Sequence, residues 1–253
     1  VAEQANLAKD AFLAALSHEL RTPLSPVLTT IIELTEDENV PAPLRNQLEM
    51  VRRNVELEAR LIDDLLDLTR IARGKLELRS EPVDLHAILH SAVEICEADL
   101  KARQHRLQLG LDAVRVETDG DATRIQQAMW NLIRNAVKFT PPRGEIVIRT
   151  GNRDGYFWLT VSDNGIGFDP ARSEEIFKAF EQGGSHITRQ FGGLGLGLAI
   201  SRSVIEAHGG AIRGESDGPA KGARFVLEIP IRTTGGSRPP QVPRGKQEPA
   251  RLL

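Results

Sequence analysis

A long helical hairpin followed by an α/β sandwich is the architecture that the sequence predicts. Three observations carry it. Apolar residues recur at helical spacing in two consecutive runs before residue 73, whereas strand-like alternation begins only beyond Val83. Of two tryptophans, one tyrosine and eight phenylalanines, only Phe12 and Trp130 precede Phe139. The first half must therefore build its core from Leu, Ile, Val and Ala, while the second half mixes helices with a sheet.

The first run extends from residue 5 to about residue 36 and carries Leu13, Leu16, Leu20, Leu24, Val27, Leu28 and Ile31. Residues 37–43, Asp-Glu-Asn-Val-Pro-Ala-Pro, break it with two prolines and read as a turn. The second run carries Leu44, Leu48, Val51, Val55, Ile62, Leu65, Leu66 and Ile71. Two helices of about thirty residues, each roughly 45 Å long, make an antiparallel hairpin whose apolar stripe has no cover of its own. Dimerisation into a four-helix bundle is the economical solution, and packing onto the second domain alone is the alternative. Residues 1–73 are accordingly expected to form a homodimer, and residues 74–82 a linker. In the second domain, residues 83–232, a helix is expected over 84–103 with Asp84 as its N-cap, and another over 121–139. Residues 146–149, 156–163 and 223–229 alternate like strands of a mostly antiparallel sheet, with turns at Arg143-Gly144 and Asp154-Gly155. A helix over 198–207 closes at Gly209-Gly210. Residues 233–253 are rich in proline and basic residues and read as a flexible tail or linker.

Composition narrows the function classes. A net charge of −3 gives no electrostatic footprint for nucleic acid or an anionic membrane. No apolar run approaches the eighteen or so residues of a spanning helix, so no direct membrane contact is expected of this segment. One cysteine, Cys96, excludes an internal disulfide framework and a cysteine-rich zinc site, and the six histidines show no metal-ligand spacing. The chain starts at Val1 without a methionine or signal peptide, which leads us to expect a piece of something longer.

Four constellations carry chemistry. In Ser17-His18-Glu19-Leu20-Arg21-Thr22-Pro23, His18 and Thr22 share a helix face, and Glu19 sets a carboxylate beside the imidazole. A lone helical histidine is usually only solvated. Here Pro23 and Pro26 weaken the helix just beyond it, at about 3 kcal/mol for each internal proline. Asn131, Asn135 and Lys138 are spaced i, i+4, i+7 on one stripe. They are either a solvated face or oxygen for Mg²⁺ with charge for its phosphates. Asp163-Asn164-Gly165-Ile166-Gly167 ends a strand whose Phe157, Leu159 and Val161 share the face that Asp163 continues. A carboxylate aimed into an apolar layer needs a partner such as an adenine amino group; otherwise the segment is an ordinary turn. Finally, Gly192-Gly193-Leu194-Gly195-Leu196-Gly197-Leu198 opens a helix, as an anion site does. It is neither a Walker A loop nor GxGxxG, and the HRD and DFG signatures of protein kinases are absent, so a nucleotide fold of another type is required.

In this order the constellations resemble the sensor histidine kinases of two-component systems, over about residues 5–232. His18 and its neighbours resemble the H-box, Asn131 to Phe139 the N-box and Asp163 to Gly167 the first glycine box. The stretch Ile176-Phe177-Lys178-Ala179-Phe180 is similar to the F-box, and Gly193 to Leu198 to the second glycine box. The resemblance implies a Bergerat-type ATP-binding sandwich, as in the gyrase, Hsp90 and MutL group, with ATP and Mg²⁺ as cofactors. It implies that His18 is the phosphoacceptor and Glu19 its base, and that Thr22 serves phosphate removal. Asn135 would be the Mg²⁺ ligand, assisted at the phosphates by Asn131 and Lys138. Asp163 would read adenine, with Gly165 and Gly167 beside it. Phe180, Arg189, Gly193, Leu194, Gly195, Leu196, Gly197 and Leu198 would border or close on the nucleotide, although the family often has a small or polar residue in the place of Leu194. The implied partner is a response-regulator receiver domain, separate or fused downstream, whose aspartate takes the phosphoryl group. The implied location is the bacterial cytoplasm, with any membrane anchor outside this segment. An ATP-driven clamp of the Hsp90 type would share the ATP boxes but lack His18; a degenerate scaffold would show broken boxes.

Overall fold

The computed structural model describes residues 22–35, 37, 39–72, 78–181 and 195–232. They fall into two compact units: residues up to 72 with 175–181 and 195–203, and residues 78–174 with 204–232.

In the first unit, helix α1 covers residues 22–35 and α2 covers Ala42–Ala72. Pro23 and Pro26 both lie in helical backbone, and Pro26 has no N–H to give the Thr22 carbonyl. The expected break between the runs is an Asx turn: the Asn39 N–H donates to the Asp37 carboxylate at 2.8 Å, and the Val40 N–H to the Asp37 carbonyl at 3.2 Å. Pro41 and Pro43 fall at the start of α2, where a helix has no donor to lose. Val27, Leu34, Leu44 and Val51 remain 40% to 46% exposed, whereas Ile31 is buried. Apolar surface on both helices is thus left open within one chain.

The second unit is a sheet covered by helices. Strands β2 (Arg106–Leu111), β4 (Glu145–Arg153), β5 (Tyr156–Asp163), β7 (Ala223–Pro230) and β6 (Ala211–Glu215) form one sheet in the order β2-β4-β5-β7-β6. Only the β2–β4 pair is parallel. A separate two-stranded ribbon pairs β1 (Glu81–Asp84) with β3 (Glu117–Gly120), so Glu81 and Pro82 are already paired in a strand. The helices are α3 (Leu85–Ala102), α4 (Ala122–Phe139) and α5 (Gly197–Ala207), the last running across both units. Asp84 caps α3 by accepting from the N–H groups of His86 and Ala87. Asp121 caps α4 by accepting from Arg124 and also takes the Arg79 N–H at 3.1 Å. Gly209, with φ of 75°, ends α5 in a Schellman turn: its N–H reaches the Glu206 carbonyl, and the Gly210 N–H reaches that of Ile205. Asp154 and Gly155 both have positive φ, the type I′ geometry that the right-handed twist of a hairpin favours.

The core lies between one sheet face and helices α3 and α4. Ile146, Ile148, Phe157, Leu159, Val161, Leu227 and Ile229 are fully inaccessible on the sheet. Leu85, Leu89, Ile125, Met129, Leu132 and Ile133 face them from the helices and are equally buried. His86 seats the start of α3 on this face, bonding Thr150 Oγ1 at 2.9 Å and meeting the Phe157 ring edge-on.

Candidate functional site

Strand β5 alternates, and its inward row is Phe157, Leu159, Val161, Asp163. In register, Asp163 pairs with Ile146 on β4 and Ala223 on β7, so the carboxyl continues the apolar row of β5 as expected. Burial pushes it up to about 6, against the pull of backbone hydrogen bonds from Gly165 and Ala223. The Gly165 N–H donates to Asp163 Oδ1 at 2.8 Å, as an Asx turn does.

That turn is anchored on three sides. The Ile166 N–H reaches the Phe139 carbonyl at the end of α4 at 3.1 Å. Asn164 exchanges bonds with Glu145 at the start of β4, its Oδ1 accepting from the Glu145 N–H at 2.9 Å. From the other side, the loop 216–222 bonds Gly165, Ile166 and Phe168. A Cβ at Gly165 would fall 2.5 Å from the Phe139 carbonyl oxygen, so only glycine lets the helix end approach Asp163 this closely.

Helix α4 presents the amide stripe, and the structure separates its members by depth. Asn131 is buried at 6%, whereas Asn135 and Lys138 are half-buried. An open solvated face does not describe them. Burial holds the Lys138 ammonium below the usual lysine range, and the Arg134 cation pushes the same way. Its Nζ lies 4.8 Å from the centre of the Phe139 ring. A half-desolvated cation near a buried amide and a raised carboxyl suits an anionic ligand with a neutral N–H donor.

Phe180, Gly195, Leu196, Gly197 and Leu198 belong to the first unit. Phe180 is 62% exposed and holds φ of 66°, strained for an aromatic residue. Its N–H donates to the Gly195 carbonyl at 3.2 Å, and Gly195, φ of 72°, leaves no room for a Cβ beside the Glu181 backbone. Gly197 opens α5, as the sequence predicted within one residue. Thr22 is exposed on α1. His18, Glu19, Arg189, Gly193 and Leu194 lie outside the described residues. Loop 216–222 was missed by sequence reading, although Gly218-Pro219-Ala220-Lys221-Gly222 carries turn residues that mark it. Among the described residues no group of three His, Cys, Asp or Glu could hold a metal, and no helix is long and apolar enough to cross a membrane.

A mixed sheet with helices on one face, a half-buried carboxyl at a strand end and an amide-bearing helix at its side suit a nucleotide-binding module. Comparison with known proteins agrees. Residues 120–233 match the family described as histidine kinase-, DNA gyrase B- and HSP90-like ATPase, and residues 8–74 match the His Kinase A (phospho-acceptor) domain. The chain belongs to the sensor histidine kinases, a family of protein-histidine kinases. It is 36% identical to the circadian input-output histidine kinase CikA of Synechococcus elongatus, over 92% of this chain and 31% of that protein. It is also 36% identical to the sensor protein TorS of Escherichia coli, over 95% of this chain and 26% of that protein. The chain therefore spans less than a third of either relative. Among solved structures, full-length ShkA in complex with AMPPNP is 30% identical and superposes with a TM-score of 0.70, over 89% of this chain and 47% of that one.

Proposed function

We propose that this chain uses Mg²⁺-ATP to phosphorylate His18 and passes the phosphoryl group to an aspartate of a response-regulator receiver domain. The observation that carries the nucleotide half is Asp163, a raised carboxyl at the end of a buried apolar row. Backbone donors from Gly165 and Ala223 offset that burial only in part, and a further donor such as the adenine amino group would complete the compensation. The phosphoacceptor half rests on the match of residues 8–74 to a phospho-acceptor domain, which includes His18 and Glu19. The division we propose is a hairpin over 1–73, a linker over 74–82 whose last two residues pair in β1, an ATP-binding domain over 83–232 and a tail over 233–253. The apolar residues left exposed on α1 and α2 support a homodimeric four-helix bundle.

In this mechanism a ring nitrogen of His18 attacks the γ-phosphorus, the N–P bond forms as the bridging P–O bond to the β-phosphate breaks, and Glu19 takes the ring proton. Asn135 would hold Mg²⁺ through its amide oxygen, and the ion would supply charge that neutralises the phosphates. Asn131 and Lys138 assist at the phosphates, whose charge gives the Lys138 ammonium a partner that offsets its desolvation. Asp163 accepts from the adenine amino group, with Gly165 and Gly167 letting the base approach the backbone. Phe180, Arg189 and the segment Gly193, Leu194, Gly195, Leu196, Gly197, Leu198 border the nucleotide. The second activity we propose is dephosphorylation of the receiver, with the Thr22 hydroxyl orienting water.

Incubation with γ-labelled Mg²⁺-ATP tests the proposal. The expected product is an acid-labile label, as phosphohistidine is, that His18→Gln abolishes while ATP affinity stays within about twofold, because acceptor and nucleotide lie in different domains. An acid-stable label, or labelling of His18→Gln at the original rate, would refute the assignment.

A further inference from the structure

We propose that Ser216 is a positioning residue for adenine recognition, its hydroxyl locking the turn that carries Asp163. The inference rests on the nucleotide reading above and goes beyond it, since Ser216 has no place in that reading.

Ser216 follows β6, and its Oγ is half-buried between two loops. It accepts from the Phe168 N–H at 3.1 Å and the Gly218 N–H at 3.3 Å, and its one proton goes to the Gly222 carbonyl at 2.7 Å in preference to the Gly218 carbonyl at 3.2 Å. Two lone pairs and one proton are all that a serine hydroxyl has, so its capacity is filled. One of those bonds crosses to the adenine-side turn; the other two hold loop 216–222 in the shape that meets it. Backbone bonds continue the seam: the Gly222 N–H reaches the Gly165 carbonyl at 3.1 Å, and the Ala220 N–H reaches that of Ile166 at 2.6 Å.

The seam has no slack. Gly167 holds φ of 59°, and a Cβ there would lie 2.9 Å from both the Gly222 carbonyl oxygen and Ser216 Oγ, besides colliding with the Gly218 carbonyl. Gly222 holds φ of 75°, and a Cβ on it would run into the Asp163 carbonyl. Glycine at both positions lets the loops touch, and the hydroxyl decides at what offset they do so. Asp163 is the first residue of the turn so fixed, and its carboxyl is tied to Gly165 in the middle of it. Removing the hydroxyl leaves the Phe168 N–H and the Gly222 carbonyl without this partner, and the turn relaxes around Asp163. The residues assigned to Mg²⁺ and the phosphates, Asn131, Asn135 and Lys138, are carried by α4. The consequence is specific: recognition of the base weakens, and recognition of the phosphates does not.

Calorimetric titration of the full chain with Mg²⁺-ADP and Mg²⁺-inosine diphosphate tests this without turnover. Inosine presents a carbonyl oxygen where adenine presents its amino group, so the ratio of the two dissociation constants reports the contact at Asp163. Ser216→Ala is expected to weaken ADP about tenfold, the worth of one or two hydrogen bonds, and inosine diphosphate less than twofold. Ser216→Thr, which keeps the hydroxyl, restores the ratio. Should Ser216→Ala not fold, Ser216→Cys fills the volume with a weaker bonding group and shifts the ratio in the same direction by less. An unchanged ratio in the folded variant, or an equal loss for both nucleotides, overturns the inference. Asp163→Ala separates the two levels. If it collapses the ratio and the Ser216 variants do not, only the role of Ser216 falls. If the ratio survives Asp163→Ala, the reading of Asp163 falls and the inference with it.

Discussion

Asp163 sets stability against recognition. Its neighbours in register are Ile146 and Ala223, and burial raises its carboxyl from 3.8 to about 6. The folded chain therefore holds this proton more tightly than the unfolded chain does. Between those two values the folded state binds more protons, so stability falls as pH rises through the window and stays at its lower level above it. The full shift corresponds to about 3 kcal/mol lost at neutral pH. Asp163→Asn keeps an oxygen for the Gly165 N–H and carries no charge. It is expected to raise the melting temperature of the nucleotide-free chain by several degrees at pH 8, with the gain shrinking as pH falls towards 4. The same variant loses the ionised acceptor and binds ADP more weakly. Equal melting shifts at both ends of the pH range would mean that the carboxylate carries no burial cost. Sequence alternation placed this carboxyl on the inward face, but it could not supply the partners that fix its turn. Those come from loop 216–222, some fifty positions further along the chain, and no local pattern links the two.

At the scale of elements, legibility follows apolar content. Helices α3, α4 and α5 and strands β4, β5 and β7 all bury enough Leu, Ile, Val and Phe to show their period, and each was readable within a few residues. The strands that escaped are β2 and β6, the two edges of the large sheet, and the ribbon of β1 and β3. An edge strand has one covered face and a single partner. Thus β6 buries only Ile212 and Gly214, and β1 admits Pro82 because its free side needs no donor. Helix α4 adds a lesson about depth, because i, i+4, i+7 spacing made its polar stripe look uniform. In the fold Asn131 is buried and Asn135 half-buried, so the same side-chain type answers to different physics. Asn131→Ala removes a buried polar group and leaves its surroundings unpaired, an expected cost of about 1–3 kcal/mol that thermal unfolding reads. Asn135→Asp spares the core but repels phosphates and removes an amide donor. It is expected to impair Mg²⁺-dependent ATP use more than Asn131→Ala does when both are assayed below their melting temperatures. Normal ATP use by Asn135→Asp would remove the metal from this stripe.

The two proposed activities make different demands on the whole molecule. Phosphorylation of His18 needs both domains, because the acceptor and the nucleotide are carried by different parts of the chain. Dephosphorylation of a receiver needs only the hairpin, since the acyl phosphate arrives on the partner. Thr22 tests that asymmetry. It is exposed on α1 and follows His18 by four positions in the sequence, a spacing that puts two residues on one face of a continuous helix. A hydroxyl that orients a water towards the acyl phosphate has no part in the attack by the imidazole. Thr22→Ala is therefore expected to label His18 at the normal rate and to release phosphate from a phosphorylated receiver at least tenfold more slowly, about 1.4 kcal/mol of lost transition-state stabilisation. A hydroxyl that merely supports a proline-weakened helix makes the opposite prediction, because a distorted α1 displaces His18 as well and both rates then fall together. Both rates measured on one purified variant decide between them: unchanged release from the receiver removes Thr22 from the chemistry, and a joint loss reduces it to a support of the helix.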